Sequence, residues 1–367
     1  MRIGIDCRTI LSAETGELAG TAHYTSALVT QLLAIDKNNT YVLFFDERVK
    51  SSFLPPLEKG DKGGFKNVEM VFLPVSGVPF ITTHFSLSRA LGRAKLDLFH
   101  SPAHPLPLFY RGKMVWTVHD LAIYDHPEWF PSGARRWFST RFTVPRSIRR
   151  AEKLIAPSQN TKRDIIRIFQ VPEEKIKVVY EGAPTEILNP KSEILNKFKI
   201  QNSKFFLFIG TIEPRKNLVR LIDAFIRFRS TFHDPRFTLI LAGGNGWNND
   251  DVFTAIECAN KQLGEGSVQY LGYVSEEQKI ALLQNATAFV WPSLYEGFGL
   301  PVLEAMAMGV PVITSNVSSI PEITGDAAIL VNPESVAEIT GAMERIANDD
   351  VLREQLKTRG VNRAKEF

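Results

Sequence analysis

The sequence has few cysteines and no long apolar run, and these two absences limit its class. Its two cysteines, Cys7 and Cys258, lie far apart and belong to no C-x-x-C pair, so neither a disulfide framework nor a zinc site is indicated. The opening MRIGIDCRTI is a strand pattern with an acid at residue 6, without the apolar region of a signal peptide. Nowhere do 18 apolar residues follow one another. We therefore expect a cytoplasmic protein, soluble or peripheral at the inner face of the membrane.

Two ligand-binding motifs are also missing. The chain contains no Asp-x-Asp, the carboxylate spacing with which a diphosphate is held through a divalent metal. It also lacks a full G-x-G-x-x-G, the dinucleotide fingerprint. We predict no metal site and no cofactor, so the positive charge for any bound phosphate must come from side chains and helix termini. The net charge of +3 suits anionic small molecules, lipid surfaces and nucleic acid alike, and it decides nothing alone.

The length and the order of the elements predict two α/β domains. A chain of 367 residues with 44% hydrophobic content exceeds what one core usually holds. Periodicity weakens near residue 183, so we predict domains at 1–183 and 205–367, joined by a linker at 184–204. Strands alternate with helices in both halves, which implies mostly parallel sheets whose ligands bind beyond the carboxyl ends of the strands. The predicted strands are 2–6, 40–45, 69–75, 96–100, 114–118, 153–156, 176–180, 205–209, 237–242, 268–271 and 287–291.

The stretch FVWPSLYEGFGLPVLEAMAMGVPVIT, residues 289–314, predicts a strand, a glycine loop, a short helix and a second strand. Gly297 and Gly299 supply free backbone geometry in the loop. Pro301 suits the first helical turn, and Gly309 is a stop signal at the other end. This stretch is the candidate active-site element.

Two acids of this element share one location. Glu296 lies in the loop, and Glu304 lies in the first turns of the helix, so both carboxylates can face the space before the helix N-terminus. That space also favours an anion such as phosphate, because unpaired N–H groups and the helix dipole point into it. The alternative is a buried βαβ unit whose acids only cap or solvate the helix.

The unbroken run E-G-F-G-L-P-x-x-E-A, from Glu296 to Ala305, resembles the signature of glycosyltransferase family 4. These are retaining, nucleotide-sugar-dependent enzymes with two Rossmann-like domains facing across a cleft, the GT-B fold. The resemblance implies that Glu296 binds the hydroxyls of the donor hexose and that Glu304 holds the nucleotide ribose. The further donor-binding residues that it implies in this stretch are Gly297, Phe298, Gly299 and Leu300.

A second run, GTIEPRKN at residues 210–217, stands between a strand and a helix N-terminus. Arg215 and Lys216 can therefore reach an anion that the helix end already favours. The run resembles the diphosphate clamp of the family and implies donor contacts at Gly210 and Thr211. Many family members have arginine where this chain has Thr211, so Arg215 takes over that charge.

Two glycine turns complete the predicted nucleotide site. Gly243 closes a strand, and the turn Gly272-Tyr273-Val274 follows the next one. Both resemble family turns that line the nucleotide, and the backbone groups of Tyr273 and Val274 can read the base edge. The alternative is that both are simply turns.

In the first half the candidate residues are Gly20, Thr21 and His119. Gly20-Thr21 follows a first strand and opens a helix, and it resembles the family loop that closes over the donor phosphates. An ordinary βα turn is the alternative. His119 directly follows a strand, where this fold places ligands, and the family carries a histidine there that approaches the donor sugar. A structural histidine is the alternative.

The stretch 134–153, ARRWFSTRFTVPRSIRRAEK, interleaves seven basic residues with aromatic and aliphatic ones. Such a pattern is typical of a helix on anionic lipid headgroups. It is equally typical of a surface helix that packs its aromatic face inward and exposes arginine. No nucleic-acid recognition module accompanies it, so we predict no nucleic-acid partner.

Together these observations lead to the hypothesis of a retaining hexosyltransferase that moves mannose from GDP-mannose to a hydroxyl of a glycan or lipid-linked saccharide. The mannose assignment comes from the similarity of MRIGIDCRTI and GTIEPRKNL to bacterial mannosyltransferases. Alternatives are a glucosyl-type transferase using a UDP- or ADP-sugar, a nucleotide-sugar epimerase or hydrolase, and a non-catalytic nucleotide-sugar-binding subunit. Family members usually continue with one more helix, so we expect a chain that is either naturally short or cut.

Overall fold

The computed structural model describes residues 1–10, 20–49, 67–74, 82–183 and 204–367. It contains two compact units. The first comprises Met1–Tyr124 and Ser132–Val179, and the second comprises Asp125–Pro131 and Tyr180–Phe367. The predicted linker lies outside the described residues except for Lys204, which begins a strand. The predicted limits 1–183, 184–204 and 205–367 therefore stay a prediction.

The described part of the first unit contains a parallel sheet of seven strands in the order β3-β2-β1-β4-β5-β6-β7. Side chains of β2 alternate between two hydrophobic clusters, with Val42 and Phe44 in one and Leu43 and Phe45 in the other. Both faces of the sheet are therefore buried, as parallel sheets require. The strands are β1 (Arg2–Asp6), β2 (Thr40–Asp46), β3 (Val68–Leu73), β4 (Leu98–Ser101), β5 (Met114–Thr117), β6 (Lys153–Ala156) and β7 (Ile176–Val178).

Helices cover this sheet. Ser158 caps one of them by accepting a hydrogen bond from the backbone N–H of Thr161. The basic stretch forms three consecutive helical segments, Ala134–Phe138, the π-helical turn Ser139–Thr143, and Val144–Arg150, which we call α4 together. The other α-helices are α1 (Gly20–Ile35), α2 (Leu87–Ala94), α3 (Ala122–Asp125) and α5 (Gln159–Phe169). Residues 11–19, which precede Gly20, lie outside the described part.

Across residues 204–367 the second unit contains six parallel strands in the order β10-β9-β8-β11-β12-β13. The two sheets confirm the predicted α/β class. The strands are β8 (Lys204–Ile209), β9 (Phe237–Ala242), β10 (Val268–Tyr270), β11 (Ala288–Trp291), β12 (Val312–Ser315) and β13 (Ile329–Val331). The α-helices are α6 (Leu218–Phe232), α7 (Asp250–Leu263), α8 (Glu276–Asn285), α9 (Leu300–Ala307), α10 (Ile320–Thr324), α11 (Val336–Asn348) and α12 (Asp350–Ala364).

The predicted strand, loop, helix and strand of the central element are present as β11, a loop, α9 and β12. All four residues of β11 are buried. Gly299 has φ +125° immediately before α9, and a Cβ there would lie 2.8 Å from Ile320 Cδ1. Pro301 lies in the first turn of α9, and Gly309, at φ +67°, follows its end. Glycine is thus required at both ends of this helix by backbone conformation.

The segment 125–131 belongs to the second unit although its flanking residues belong to the first. Trp247 Nε1 donates a 2.7 Å hydrogen bond to the carbonyl of Trp129. The ring of Phe130 also stacks on that of Trp247, with centroids 6.3 Å apart. These contacts hold the segment against the loop that follows β9.

Candidate active site

The candidate site lies where the strand order of the second sheet reverses. β8 and β11 are neighbours there, and the chain leaves them in opposite directions along the sheet. Open α/β sheets bind ligands at such a switch point, beyond the carboxyl ends of the strands. The loops that follow the two strands are joined, because the N–H of Leu294 donates to the carbonyl of Arg215 at 2.9 Å. The sequence thus brings residues 210–217 beside residues 292–299.

Glu296 is the centre of this site. Its side chain is buried, and its Oε1 accepts hydrogen bonds from Lys216 Nζ at 2.7 Å and from Trp291 Nε1 at 3.0 Å. Its Oε2 accepts from Arg215 Nη1 at 3.2 Å. Three predicted catalytic residues, Glu296, Arg215 and Lys216, are therefore in direct contact.

A second buried acid, Glu213, completes the cluster. Its Oε1 accepts from Arg215 Nη2 at 2.8 Å and lies 3.8 Å from Lys216 Nζ. Lys216 Nζ also lies 4.5 Å from the ring centroid of Trp291, a cation–π contact. Two acids and two bases face one another, so the cluster is close to neutral, and each charge is compensated at short range.

Burial and pairing act in opposite directions on these groups. Burial alone raises the pKa of Glu296, but Lys216 and Arg215 outweigh it and hold that pKa below the ordinary 4.5. Burial lowers the pKa of Lys216 below the ordinary 10.5, Arg215 lowers it further, and Glu296 and Glu213 only partly offset this. Glu296 therefore gives up its proton more readily than a free glutamate, and Lys216 gives up its proton more readily than a free lysine.

Backbone contacts fix the loop that carries Glu296. The N–H of Glu296 donates to Ser318 Oγ at 3.0 Å, and its carbonyl accepts from Ser319 Oγ at 2.9 Å. Asn217 has the left-handed φ of 61° and donates from Nδ2 to the carbonyls of Pro292, at 3.0 Å, and Pro333, at 2.6 Å. The acid is held from both its backbone and its side chain, which is the preorganisation that a binding site needs.

The predicted nucleotide residues lie in three adjoining turns of the second unit. A Cβ at Gly210 would lie 2.7 Å from Trp291 Cη2, and one at Gly243, where φ is +135°, would lie 2.0 Å from the carbonyl oxygen of Gly210. The N–H of Gly243 donates to the carbonyl of Gly272 at 2.8 Å. These two glycines are required by close backbone packing, whatever ligand is bound.

The side chains at the edges of these turns differ in exposure. Thr211 is exposed, and so is Tyr273, whereas Val274 is buried. The ring of Phe298 is buried and belongs to the hydrophobic core, so only its backbone groups are left for a ligand. Leu300 begins α9, and Gly297 is buried beside Glu296.

Glu304 has a partner of its own. Its Oε2 accepts from Lys279 Nζ at 3.2 Å, and Lys279 also pairs with Glu276 at 2.9 Å. Burial lowers the pKa of Lys279, but Glu304 and Glu276 outweigh it and raise that pKa above the ordinary 10.5. Glu304 is thus held by a different cation from Glu296, although both acids lie in the same element.

The remaining candidates belong to the first unit. His119 follows β5, and its Nε2 donates to the carbonyl of Pro102 at 2.8 Å, which places a proton on that nitrogen. Its ring contacts Tyr24 of α1 edge-on, with centroids 4.8 Å apart. Gly20 begins α1, and the carbonyl of Thr21 accepts from Thr25 Oγ1 at 2.7 Å. The structure therefore brings His119 beside the helix that Gly20 and Thr21 open.

Sequence reasoning missed the partners that organise the cluster. Glu213 stands inside the GTIEPRKN run, so its charge was a visible signal. Trp291 carries the indole that hydrogen-bonds Glu296, yet it reads in sequence as a strand residue. In the described ranges no helix is long and apolar enough to cross a membrane, and no group of three or more His, Cys, Asp or Glu side chains is arranged to hold a metal ion.

Two family models match the chain. The Glycosyltransferase Family 4 model matches residues 43–187, and the Glycosyl transferases group 1 model matches residues 190–363. The O-antigen chain mannosyltransferase B of Escherichia coli is 35% identical over 76% of this chain and 72% of its own length. The O-antigen chain mannosyltransferase RfbU of Salmonella typhimurium is 29% identical over 66% of this chain and 63% of its own length.

A solved structure supports the same assignment at the level of the fold. HepE from Anabaena, crystallised with UDP and glucose, matches 100% of this chain and 95% of its own, with a TM-score of 0.75 and 18% identity. The chain therefore belongs to the family 4 and group 1 glycosyltransferases and has their GT-B fold of two parallel-sheet, Rossmann-like domains.

Proposed function

We propose that the protein is a retaining mannosyltransferase that moves mannose from GDP-mannose to a hydroxyl of a glycan or lipid-linked saccharide. The observation that carries this proposal is the buried cluster of Glu213, Arg215, Lys216 and Glu296 at the switch point of the second sheet. The two cations, Arg215 and Lys216, can bind the diphosphate of a nucleotide-sugar donor, and Glu296 beside them can bind its sugar. Cleavage of the donor leaves a negative diphosphate and an electron-poor anomeric carbon.

In this proposal Arg215 and Lys216 bind the departing diphosphate. Both now hydrogen-bond to carboxylates, so their positive charge is already compensated. When the donor binds, the phosphate oxygens take over part of these hydrogen bonds, and Glu296, still held by Trp291 Nε1, accepts hydrogen bonds from the hexose hydroxyls. Fixed cations of this kind stabilise developing negative charge without reorganising at the moment of reaction. They also allow transfer without a divalent metal.

The other proposed roles come from the resemblance to the family. Glu304 holds the ribose, and the backbone groups of Phe298 and Gly299 lie near the sugar. The turns at Gly210, Gly243 and Tyr273 to Val274 line the nucleotide. His119 approaches the donor sugar, with the Gly20-Thr21 turn over the donor phosphates. Retention follows from attack on the face that the diphosphate leaves, with the phosphate oxygen taking the proton of the acceptor hydroxyl.

The choice of mannose is supported by the names of the two bacterial relatives, both O-antigen mannosyltransferases. HepE was crystallised with UDP and glucose, so a UDP-linked hexose is the alternative donor that the experiment must include. A lipid-linked or polysaccharide acceptor would place the enzyme in the cytoplasm at the inner face of the membrane.

A thermal-shift panel tests the donor. GDP-mannose, GDP, UDP-glucose, UDP, ADP-glucose and ADP are added at rising concentration, because a ligand at 100 times its Kd adds about 2.7 kcal/mol to the free energy of unfolding. We expect GDP and GDP-mannose to shift the melting temperature most. A larger shift with UDP or ADP ligands would overturn the donor assignment.

Turnover then tests the reaction. The protein is incubated for a long time with GDP-mannose, once with excess EDTA and once with added magnesium. GDP should be released at the same rate under both conditions, and NMR should show α-mannose as the first free sugar. A changed sugar stereocentre would indicate an epimerase, and rapid hydrolysis unaffected by added glycans would indicate a hydrolase. Binding of the donor without any release of GDP would indicate a binding subunit. Loss of activity in EDTA that magnesium reverses would contradict the metal-independent step.

A further inference from the structure

One face of the first unit exposes aromatic rings next to arginines. Phe85, Phe109, Trp137 and Phe142 are each between 51% and 57% exposed. Phe85 and Phe109 contact each other, with ring centroids 4.5 Å apart, and Trp137 contacts Phe142 at 5.5 Å. Isolated exposed rings need no explanation, but two pairs that each contribute one ring, Phe109 and Phe142, to the same groove do. We call these four rings, with the arginines of α4 beside them, the aromatic–arginine face.

A groove of about 550 Å³ connects the two pairs of rings. Phe109 and Phe142 border it, and four arginines of α4 give it positive charge. They are Arg141, Arg146, Arg149 and Arg150. None of the described residues that line this groove is acidic. The groove therefore combines apolar edges with a cationic floor.

Within the described part of the chain, no acidic side chain pairs with the exposed arginines of the groove. Among the described residues the side chains of Arg141, Arg146 and Arg149 form no ion pair, and all three are exposed. Arg150 is half-buried and donates to the carbonyls of Leu108, at 2.9 Å, and Tyr110. Burial lowers the pKa of Arg150, and the neighbouring charges of Arg146 and Arg111 lower it further. A site built this way attracts phosphate groups.

We propose that the aromatic–arginine face docks on the surface of an anionic phospholipid bilayer. The arginines bind lipid phosphates, and the rings of Phe109, Phe142 and Trp137 enter the boundary between headgroups and acyl chains. Part of the apolar face of α4 packs inward, as in a surface helix, and part stays exposed, where it can contact lipid. Docking of this kind is independent of the proposed donor and acceptor.

Single-stranded nucleic acid is the rival partner, since it also binds arginine beside aromatic rings. The lipid is favoured because three of the four exposed rings are phenylalanine, which has no polar tip, and one ring of each pair, Phe109 and Phe142, lines a short groove. A nucleic-acid site requires a continuous basic track along several nucleotides. The four arginines lie instead on ten consecutive residues of a single helix.

Vesicle co-sedimentation tests the proposal without any sugar substrate. The whole protein is mixed with vesicles of phosphatidylcholine alone or with about one third phosphatidylglycerol. We expect pelleting only with the anionic vesicles, weakening as salt rises, since exposed charges act over about 8 Å at physiological ionic strength. Arg146→Glu with Arg149→Glu should lower the partition coefficient roughly thirtyfold or more, because each arginine near the membrane contributes about fivefold.

A matched control separates the face from net charge. Arg227→Glu with Lys261→Glu makes the same charge change on exposed positions of the second unit, and it should pellet almost like the parent. The rings are tested by tryptophan fluorescence: anionic vesicles should shift the parent emission to the blue, and Trp137→Phe should remove most of that shift. Equal pelleting of both charge variants would overturn the proposal. So would a single-stranded RNA oligonucleotide that binds this face while the vesicles do not.

Discussion

Glu296 receives three hydrogen bonds, from a lysine, an arginine and an indole, and each has a separate meaning for function. Burial raises the pKa of the carboxyl, but the two cations outweigh burial and lower it, and the indole fixes its orientation. A group held this firmly suits a ligand that forms directional hydrogen bonds, such as a sugar hydroxyl. It does not suit proton transfer near neutral pH, because its pKa is lowered.

Replacing Glu296 by glutamine tests this assignment. Glu296→Gln keeps the side-chain volume but removes one negative charge, so the cluster gains net positive charge. We expect the Kd for GDP or UDP, whichever binds the parent, to stay the same or decrease. Donor turnover should fall about a hundredfold or more, as for other preorganised polar groups of active sites. Isothermal titration calorimetry and GDP release measure the two effects.

The matched variant is Glu304→Gln, in which the altered acid pairs with Lys279 instead of the cluster. Loss of a ribose hydrogen bond to a charged group should weaken nucleotide binding about tenfold to a hundredfold. If Glu296→Gln abolished binding of the sugar-free nucleotide, the hexose role assigned to Glu296 would be wrong.

Lys216 predicts how affinity depends on pH. Its pKa is lowered below 10.5, so the folded protein loses this proton at a lower pH than the unfolded chain does. Stability therefore rises with pH within that window, because the unfolded state binds more protons there. The affinity for a diphosphate should fall in the same window, since the cation is lost.

Calorimetry with GDP from pH 7 to pH 10 measures this decline. Lys216→Arg should remove it, because a guanidinium stays charged throughout that range. The comparison uses the slope of log Kd against pH, so a constant loss of affinity from the larger side chain does not matter. The same decline in parent and variant would show that another group titrates.

At this scale the sequence predicts the charged residues but not their partners. Glu296, Arg215 and Lys216 were predicted as catalytic residues because they stand in recognisable runs next to a helix N-terminus. The hydrogen bond from Trp291 to Glu296 could not be predicted, because the indole meets the carboxylate only in the folded loop. Hydrogen bonds across 80 residues, such as that of Lys216 to Glu296, depend on strand order, which no local pattern encodes.

At the scale of elements, the unit formed by β11, its loop and α9 depends on one glycine. Gly299 has φ +125°, and an added Cβ would lie 2.8 Å from Ile320 Cδ1. We expect Gly299→Ala to lower the free energy of unfolding by about 1–3 kcal/mol, the usual cost of such a backbone conformation. Chemical denaturation followed by circular dichroism measures it.

Gly341 provides the matched control for this prediction. It lies within helix α11, has no positive φ, and a Cβ there meets nothing within 4 Å. Gly341→Ala should leave stability unchanged or raise it by up to about 1 kcal/mol. Equal denaturation midpoints for the two variants would show that Gly299 is not strained against a side chain.

Most elements were predictable because buried parallel strands are short apolar runs with clear stop signals. The predicted strand 237–242 has the observed limits of Phe237–Ala242, and the predicted strand 176–180 ends two residues early, at Val178. The π-helical turn Ser139–Thr143 inside α4 was not predicted. Its sequence has ordinary helical periodicity, so nothing in the pattern marks the wider turn.

At the scale of the whole molecule, the chain passes between the two units more than once. It leaves the first unit after Tyr124, returns at Ser132 and leaves again after Val179. The segment 125–131 is fastened in the second unit by the hydrogen bond from Trp247 to Trp129, across 118 residues of sequence. Sequence periodicity predicted two domains but contains no signal for this exchange, because the contact joins two loops.

The Trp247 loop also borders the candidate site. The N–H of Ile212 donates to the carbonyl of Gly244 at 3.0 Å, and Asn249 Nδ2 donates to the carbonyl of Ile212 at 3.1 Å. Ile212 immediately precedes Glu213 of the charged cluster. The segment 125–131, the Trp247 loop and the diphosphate-binding run therefore form one continuous set of contacts within the second unit.

Hydrogen exchange tests what fastens the segment. Trp247→Ala removes both the 2.7 Å hydrogen bond to Trp129 and the ring contact with Phe130. A hydrogen bond contributes about 1 kcal/mol net, and the lost ring contact adds to this. Amide exchange within 125–131 should therefore become roughly tenfold faster, while exchange in the buried strand β8 stays unchanged. Trp137→Ala is the control, because Trp137 is an exposed ring of the first unit. Unchanged exchange in the Trp247 variant would mean that the segment is held by its covalent connections, and the Trp247 contact would then have no part in ordering it.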